Sequence, residues 1–205
     1  MKKLFVALSA SLMLITVSCK KKEEQKVVET PKVIAEGYKV SALGSKVDWT
    51  GYKFTEKKGV TGTFKIINVL NAPKAATPFE AFNGVDFTIP VSSIYSNNEI
   101  RDGKLKSLFF GMMDNTELLS GSFVTEGKKI FLNLKMNNET QKIPLQYSIS
   151  NRSARLKCTI NIMNFKAIKA YNSIHKACEL LHTGADGVSK TWEDVSIDAL
   201  VFLEK

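Results

Sequence analysis

Val85-Asp86-Phe87-Thr88-Ile89-Pro90-Val91-Ser92 alternates apolar and polar residues at every step. Successive side chains of a strand point to opposite faces, so Val85, Phe87, Ile89 and Val91 share an apolar face while their neighbours meet water. The pattern recurs downstream. Ile130, Leu132, Leu134 and Met136 repeat it, as do Ile143, Leu145, Tyr147 and Ile149, then Leu156, Cys158, Ile160 and Ile162, and near the end Val195, Ile197, Ala199, Val201 and Leu203. Residues 38–43, 46–54, 60–69 and 117–125 supply shorter or less regular strands. Turn signals at Gly44, Lys57-Lys58-Gly59, Glu126-Gly127-Lys128, Asn137-Asn138 and Asn151-Arg152 separate neighbours at hairpin spacing.

Two stretches break the β rhythm. Over residues 97–112, Ile100, Leu105, Leu108, Phe109 and Met112 recur near helical spacing, which predicts a short helix or helical loop. Over residues 164–182, Phe165, Ile168, Tyr171, Ile174, Cys178 and Leu181 step by three or four, one face of an amphipathic helix with Gly184 just past its end as a stop. The chain therefore reads as all-β with one or two short α-helices. Eight or nine strands sharing one in/out alternation lose their exposed edges most economically by closing into a single antiparallel barrel. A two-sheet sandwich satisfies the same alternation.

Upstream of the strands the chain changes character. Met1-Lys2-Lys3 precedes residues 4–17, a run without a charge, which is the basic and apolar regions of a secretion signal. That run is shorter than the about 20 apolar residues a membrane helix needs. The junction Thr16-Val17-Ser18-Cys19 resembles a lipobox, with Thr16 where leucine is usual. Residues 1–18 are thus expected to leave as a signal peptide and Cys19 to become the lipid-modified first residue; the rival reading is an ordinary signal with a chance cysteine. Two or more acyl chains hold a protein stably on a membrane where one does not. The expected location is the cell envelope, as an outer-membrane lipoprotein facing the periplasm or the cell surface. Residues 19–36 carry Lys, Glu, Val, Gln, Thr and Pro without period, a linker between the lipidated end and one domain over residues 37–205. Its opening, Lys20-Lys21-Lys22-Glu23-Glu24-Gln25, resembles the charged tract that sends some bacterial lipoproteins to the cell exterior, and reads equally well as a solvated tether.

The formal net charge of +9 is concentrated at this end: residues 1–26 hold six lysines against two glutamates, leaving +5 for the rest. That remainder is spread along the chain rather than striped with aromatics, so no nucleic-acid partner is expected. With Cys19 acylated, Cys158 and Cys178 remain, either as a disulfide in an oxidising compartment or as two buried thiols.

Lys46-Val47-Asp48-Trp49-Thr50-Gly51, then Gly59-Val60-Thr61-Gly62-Thr63-Phe64, Val91-Ser92-Ser93-Ile94, Glu99-Ile100-Arg101-Asp102-Gly103-Lys104-Leu105-Lys106-Ser107-Leu108-Phe109-Phe110 and the closing Trp192-Glu193-Asp194-Val195-Ser196-Ile197 follow in that order. The ordered set resembles the YceI-like family from about residue 38 to residue 205. Lys104 departs from it, standing where the family often has histidine, as does Gly111, where an acidic residue is usual after the aromatic pair. The family's histidine in the first hairpin is also missing. The resemblance implies a lipocalin-like, eight-stranded antiparallel barrel whose interior binds a long isoprenoid or similar lipid chain.

The residues agree in kind. A strand of about ten residues spans roughly 33 Å, so eight such strands would enclose a long, narrow, apolar space. At about 0.3 kcal/mol per heavy atom, a chain of a few tens of atoms binds tightly without an ion pair. The expected lining is Phe64, Val85, Phe87, Ile89, Leu132, Leu134, Leu145, Tyr147, Leu156 and Ile160. The rival is that these side chains fill a solid core, which would make the protein a structural or interaction lipoprotein that works through its surface.

Other chemistry has few candidates. His175, Cys178 and His182 stand at i, i+3 and i+7 and could share a helix face as zinc ligands, but a packed helix would tuck them against its neighbours in the same way. They include both histidines of the chain, which leaves little for acid/base or triad catalysis. Gly59-Val60-Thr61-Gly62 lacks the Gly-Lys-Ser/Thr ending of a phosphate loop. Asp186, Glu193 and Asp194 do not follow calcium-loop spacing. No metal, cofactor or catalysis is expected, and a homodimer is left open.

Overall fold

The computed structural model describes residues 36–205; the expected signal peptide, Cys19 and the linker up to residue 35 lie outside the described residues. Ten antiparallel strands form one continuous sheet. They are β1 (Lys39–Lys53), β2 (Lys58–Phe64), β3 (Asn68–Asn71), β4 (Asp86–Pro90), β5 (Ile94–Tyr95), β6 (Leu118–Glu126), β7 (Lys129–Met136), β8 (Glu139–Ile149), β9 (Ser153–Asn161) and β10 (Thr191–Glu204).

The residues predict eight or nine strands and the resemblance implies eight, and the register explains why ten segments form. β2 and β3 are halves of one strand bent at residues 65–67, while β4 and β5 are halves of its partner, interrupted by a 3-10 turn at Val91–Ser93. Phe64 pairs with Ile94, Asn68 with Thr88 and Val69 with Phe87, and Lys65 N donates to Ser93 O at 3.0 Å between the two ladders. Pro90 ends the regular part because it has no N–H to give. With each bent strand taken as one position, eight positions close into a ring, since β1 pairs with β10 on one side and β2 on the other.

The two strands expected over residues 38–43 and 46–54 are one. β1 runs through both and absorbs the misfit as a bulge between Ser41 and Lys46. Gly44 takes φ of 77° there, a conformation that costs a side chain-bearing residue, and Ser45 Oγ accepts from Phe202 N to restore a hydrogen bond across the gap.

The first helical stretch falls where the apolar spacing predicts, and the second is shorter. α1 (Glu99–Lys104) begins where Asn98 Oδ1 accepts from Arg101 N and runs on as a π-type turn at Leu105–Phe109 and a 3-10 turn at Phe110–Met112. α2 covers Ile168–Ala177 rather than residues 164–182. Asn161 Oδ1 caps a separate 3-10 turn at Ile162–Phe165, and Lys166, at φ of 53°, breaks the path between turn and helix. Chain direction changes again after Cys178, where a 3-10 turn at Leu180–His182 follows, so Gly184 lies beyond the helix rather than at its end. Tyr171, Ile174 and Cys178 still face inward, whereas Ile168 and Leu181 are exposed.

One end of the barrel is solid. Phe82, from the 3-10 turn Glu80–Phe82, is fully buried with Val85 and Ile130, and its ring meets Phe123 edge-on at 5.6 Å. Phe79 and Tyr147 add a tilted pair at 5.8 Å. The helices lie over the rest of the interior: Leu105 and Phe110 face it from the α1 side, Tyr171 and Ile174 from α2. Among the described residues no helix is long and apolar enough to cross a membrane.

Candidate functional site

Between the solid end and the helices the barrel is hollow. The cavity measures about 580 Å³, within the usual size of small-molecule sites. Phe64 of β2, Phe87 and Ile89 of β4, Leu132 and Leu134 of β7, Leu145 of β8, and Leu156 and Ile160 of β9 all line it. Val85 and Tyr147 do not. Val85 sits one pleat below Phe87, inside the solid end. Tyr147 is partly exposed, with its ring against Phe79 and its hydroxyl donating to Lys128 O at 2.7 Å. The solid core weighed as a rival is therefore confined to one end.

The openness has a local cause. Trp49 lines the cavity and its cross-strand partner is Gly62; Phe87 does so opposite Gly121. A β-carbon at Gly62 would stand 2.2 Å from Trp49 Cζ2, and one at Gly121 2.6 Å from Phe87 Cζ. Each ring thus lies across a glycine, against the wall, instead of projecting into the lumen.

The sequence reading missed the β1 and β10 contribution, Val47, Trp49, Val195 and Ile197, and the covering residues Leu105, Phe109 and Phe110. The signal for β1 was available, because Val47, Trp49 and Gly51 alternate with polar residues. Nothing local announced the cover. Ile100 and Leu181 line the cavity and yet are exposed at 76% and 61%, so the space opens to the surface between α1 and the Leu180–His182 turn.

Polar groups gather at that mouth. Ser96, buried beneath α1, donates its hydroxyl to Asp102 and accepts from Arg101 Nε at 2.7 Å, which pins the helix. The Arg101-Asp102 pair is thus a structural device. His182 Nδ1 lies 2.6 Å and His175 Nδ1 3.0 Å from the single hydroxyl of Thr191. A hydroxyl has one proton, so at most one imidazole accepts from it and the other donates. Among the described residues no three His, Cys, Asp or Glu side chains come together in a metal-holding group; the two histidines share Thr191 instead. Cys158 and Cys178 are free thiols that both line the cavity, and burial pushes the Cys158 thiol up to about 11, away from thiolate chemistry.

A YceI-like domain model matches residues 38–200. The chain belongs to the YceI-like family. Solved structures agree with the YceI-like fold. A polyisoprenoid binding domain from Saccharophagus degradans, implicated in plant cell wall breakdown, superposes with a TM-score of 0.60 at 12% identity, over 82% of this chain and 98% of the other. Burkholderia cenocepacia BcnA gives 0.54 at 13% identity, over 81% and 99%. The Campylobacter jejuni YceI protein gives 0.50 at 18% identity, over 72% and 86%. No curated protein sequence matches the chain.

Proposed function

We propose that this YceI-like protein binds a long apolar lipid such as a polyisoprenoid inside its barrel, and carries or stores it at the cell envelope without catalysis. The single observation behind this reading is the hollow, hydrocarbon-walled interior with one open end. Burying a chain against such walls yields roughly 25 cal/mol per Å² of apolar surface, without needing an ion pair. The Saccharophagus degradans domain of the same fold is a polyisoprenoid binding domain, which supports the ligand class. A lipidated Cys19 would hold the carrier at the membrane from which an apolar ligand must come and to which it must return.

The test is native mass spectrometry of the Cys19→Ala protein, which carries no lipid anchor, purified from cells without detergent or organic solvent. A stoichiometric long-chain adduct, identified after extraction, is the expected result. A homogeneous ligand-free protein would end the proposal. The tether is checked separately: Cys19→Ala is expected to move the protein from the membrane to the soluble fraction, and an unchanged distribution would refute the lipid anchor alone.

A further inference from the structure

The Leu180–His182 turn borders the cavity mouth, yet little apolar packing holds it down: Leu180 is 91% exposed and Leu181 61%. Its fastenings are polar. Lys53 Nζ of β1 donates to Leu181 O at 3.1 Å, and Lys190 N donates to His182 O at 3.1 Å. His182 is the turn's one polar side chain, and its Nδ1 lies 2.6 Å from Oγ1 of Thr191, the first residue of β10. The same hydroxyl takes Nδ1 of His175 at 3.0 Å, so a single oxygen of the barrel wall fastens both α2 and the turn. Tyr171 stacks on the outer side of that joint, its ring 5.8 Å from the His175 ring and its hydroxyl donating to Thr191 O at 3.0 Å.

We propose that the hydroxyl shared by His175 and His182 is an acid-sensitive latch: near neutral pH it holds the turn against β10 and retains the ligand, and acidification frees the turn and speeds release. This rests on the apolar-chain reading above and adds a control to it. With both rings neutral, one imidazole accepts the hydroxyl's proton and the other donates to its lone pair. A proton on the accepting ring makes donors of both, takes away the hydroxyl's acceptor and places a cation in a half-buried site. Among the described residues no carboxylate pairs with His182. The groups that face it are Lys53 of β1, Lys104 of α1 and His175 of α2, while Glu193 of β10 is engaged by Lys190 at 3.5 Å and by Tyr171, and Glu179 is exposed. Burial first, then those charges, hold the latched His182 down from 6.5 to about 4. A freed turn returns it to the ordinary value, so the open form takes up the proton first and acid shifts the population toward it. From those two values the opening equilibrium grows about tenfold between about pH 7.5 and about pH 5.5. Histidines that merely tied α2 to the wall would leave release indifferent to pH.

The experiment loads the full chain carrying Cys19→Ala, stripped of bound lipid, with diphenylhexatriene. This hydrocarbon has no titratable group and fluoresces only in apolar surroundings, so its transfer to excess phosphatidylcholine vesicles can be followed at any pH. Transfer is expected to speed about tenfold between about pH 7.5 and about pH 5.5. With His182→Gln added, whose amide can bond the hydroxyl but does not titrate, the rate is expected to ignore pH. Hydrogen exchange gives a reading that needs no change at the latch. After correction for intrinsic rates, protection of the Lys190 amide, whose acceptor is His182 O, is expected to fall about tenfold over the same range. Protection of the Phe123 amide, bonded to Val85 O in the solid end, is expected to hold. Transfer and protection that ignore pH, or an acid effect equally large in His182→Gln, overturn the latch and leave the carrier reading intact. A probe that does not bind overturns the carrier reading, and the Lys190 amide then decides by itself whether the turn is latched.

Discussion

Trp49 and Gly62 face one another across β1 and β2, and the indole covers the glycine so closely that a β-carbon there would lie 2.2 Å from Cζ2 and 2.8 Å from Tyr95 O. The carbonyl cannot give way as a side-chain tip can. Gly62→Ala must therefore push the ring off its seat and into the lumen. Overpacking of this kind costs about 1–3 kcal/mol, and the displaced indole takes ligand space. The expected outcome is a lower melting temperature together with lower lipid occupancy by native mass spectrometry. Unchanged values for both would show that the ring does not depend on the glycine.

Leu132, buried on β7, lines the cavity with its side chain directed at open space. Leu132→Trp adds bulk where the ligand chain would run while leaving the outer face of the strand alone. Lipid occupancy is expected to fall sharply with the β-type circular dichroism spectrum retained. Full occupancy in the folded variant would mean that the chain does not pass this level of the barrel.

Phe82 makes the opposite case, being fully buried in the solid end, in contact with Phe123 and absent from the cavity wall. Phe82→Ala is expected to cost about 3–5 kcal/mol in urea unfolding while the surviving folded protein keeps its lipid. If lipid were lost in proportion to nothing but this residue, with stability intact, the plug and the cavity would not be separate parts.

His182 gives the fold a pH dependence of definite sign. Burial, followed by the charges of Lys53, His175 and Lys104, lowers it from 6.5 to about 4. Above pH 6.5 the imidazole is neutral in folded and unfolded chains alike and contributes nothing. As pH falls from 6.5 to about 4 the unfolded chain takes up the proton first, so stability drops through that window. His182→Gln is expected to flatten this part of the stability profile, and an imidazole titration by NMR is expected to show a midpoint well below 6.5. A midpoint at the ordinary value would refute the burial and the cationic field together.

Much of this was legible in the residues themselves. Alternation is a local property of the chain: in a strand every second side chain shares a face whatever the strand pairs with. Val85, Phe87, Ile89 and their counterparts on β7 to β10 therefore declared an all-β chain and its inward face, and eight of the ten expected lining residues do surround the cavity. The tertiary structure decided how far along the barrel each inward residue lies. Val85 and Phe87 are two residues apart on one face, yet the first is packed beneath Phe82 and the second borders open space. Periodicity repeats identically at every pleat and so carries no information about depth, which is set by the register of neighbouring strands and by where a turn such as Glu80–Phe82 folds in. The same limit hid the glycine seats of Trp49 and Phe87 and the reach of Lys53 and Lys104 to the carbonyls of Leu181 and Ala177. These residues are distant in sequence, and only ring closure, which fixes the strand ends and the covering helices in one frame, brings them together.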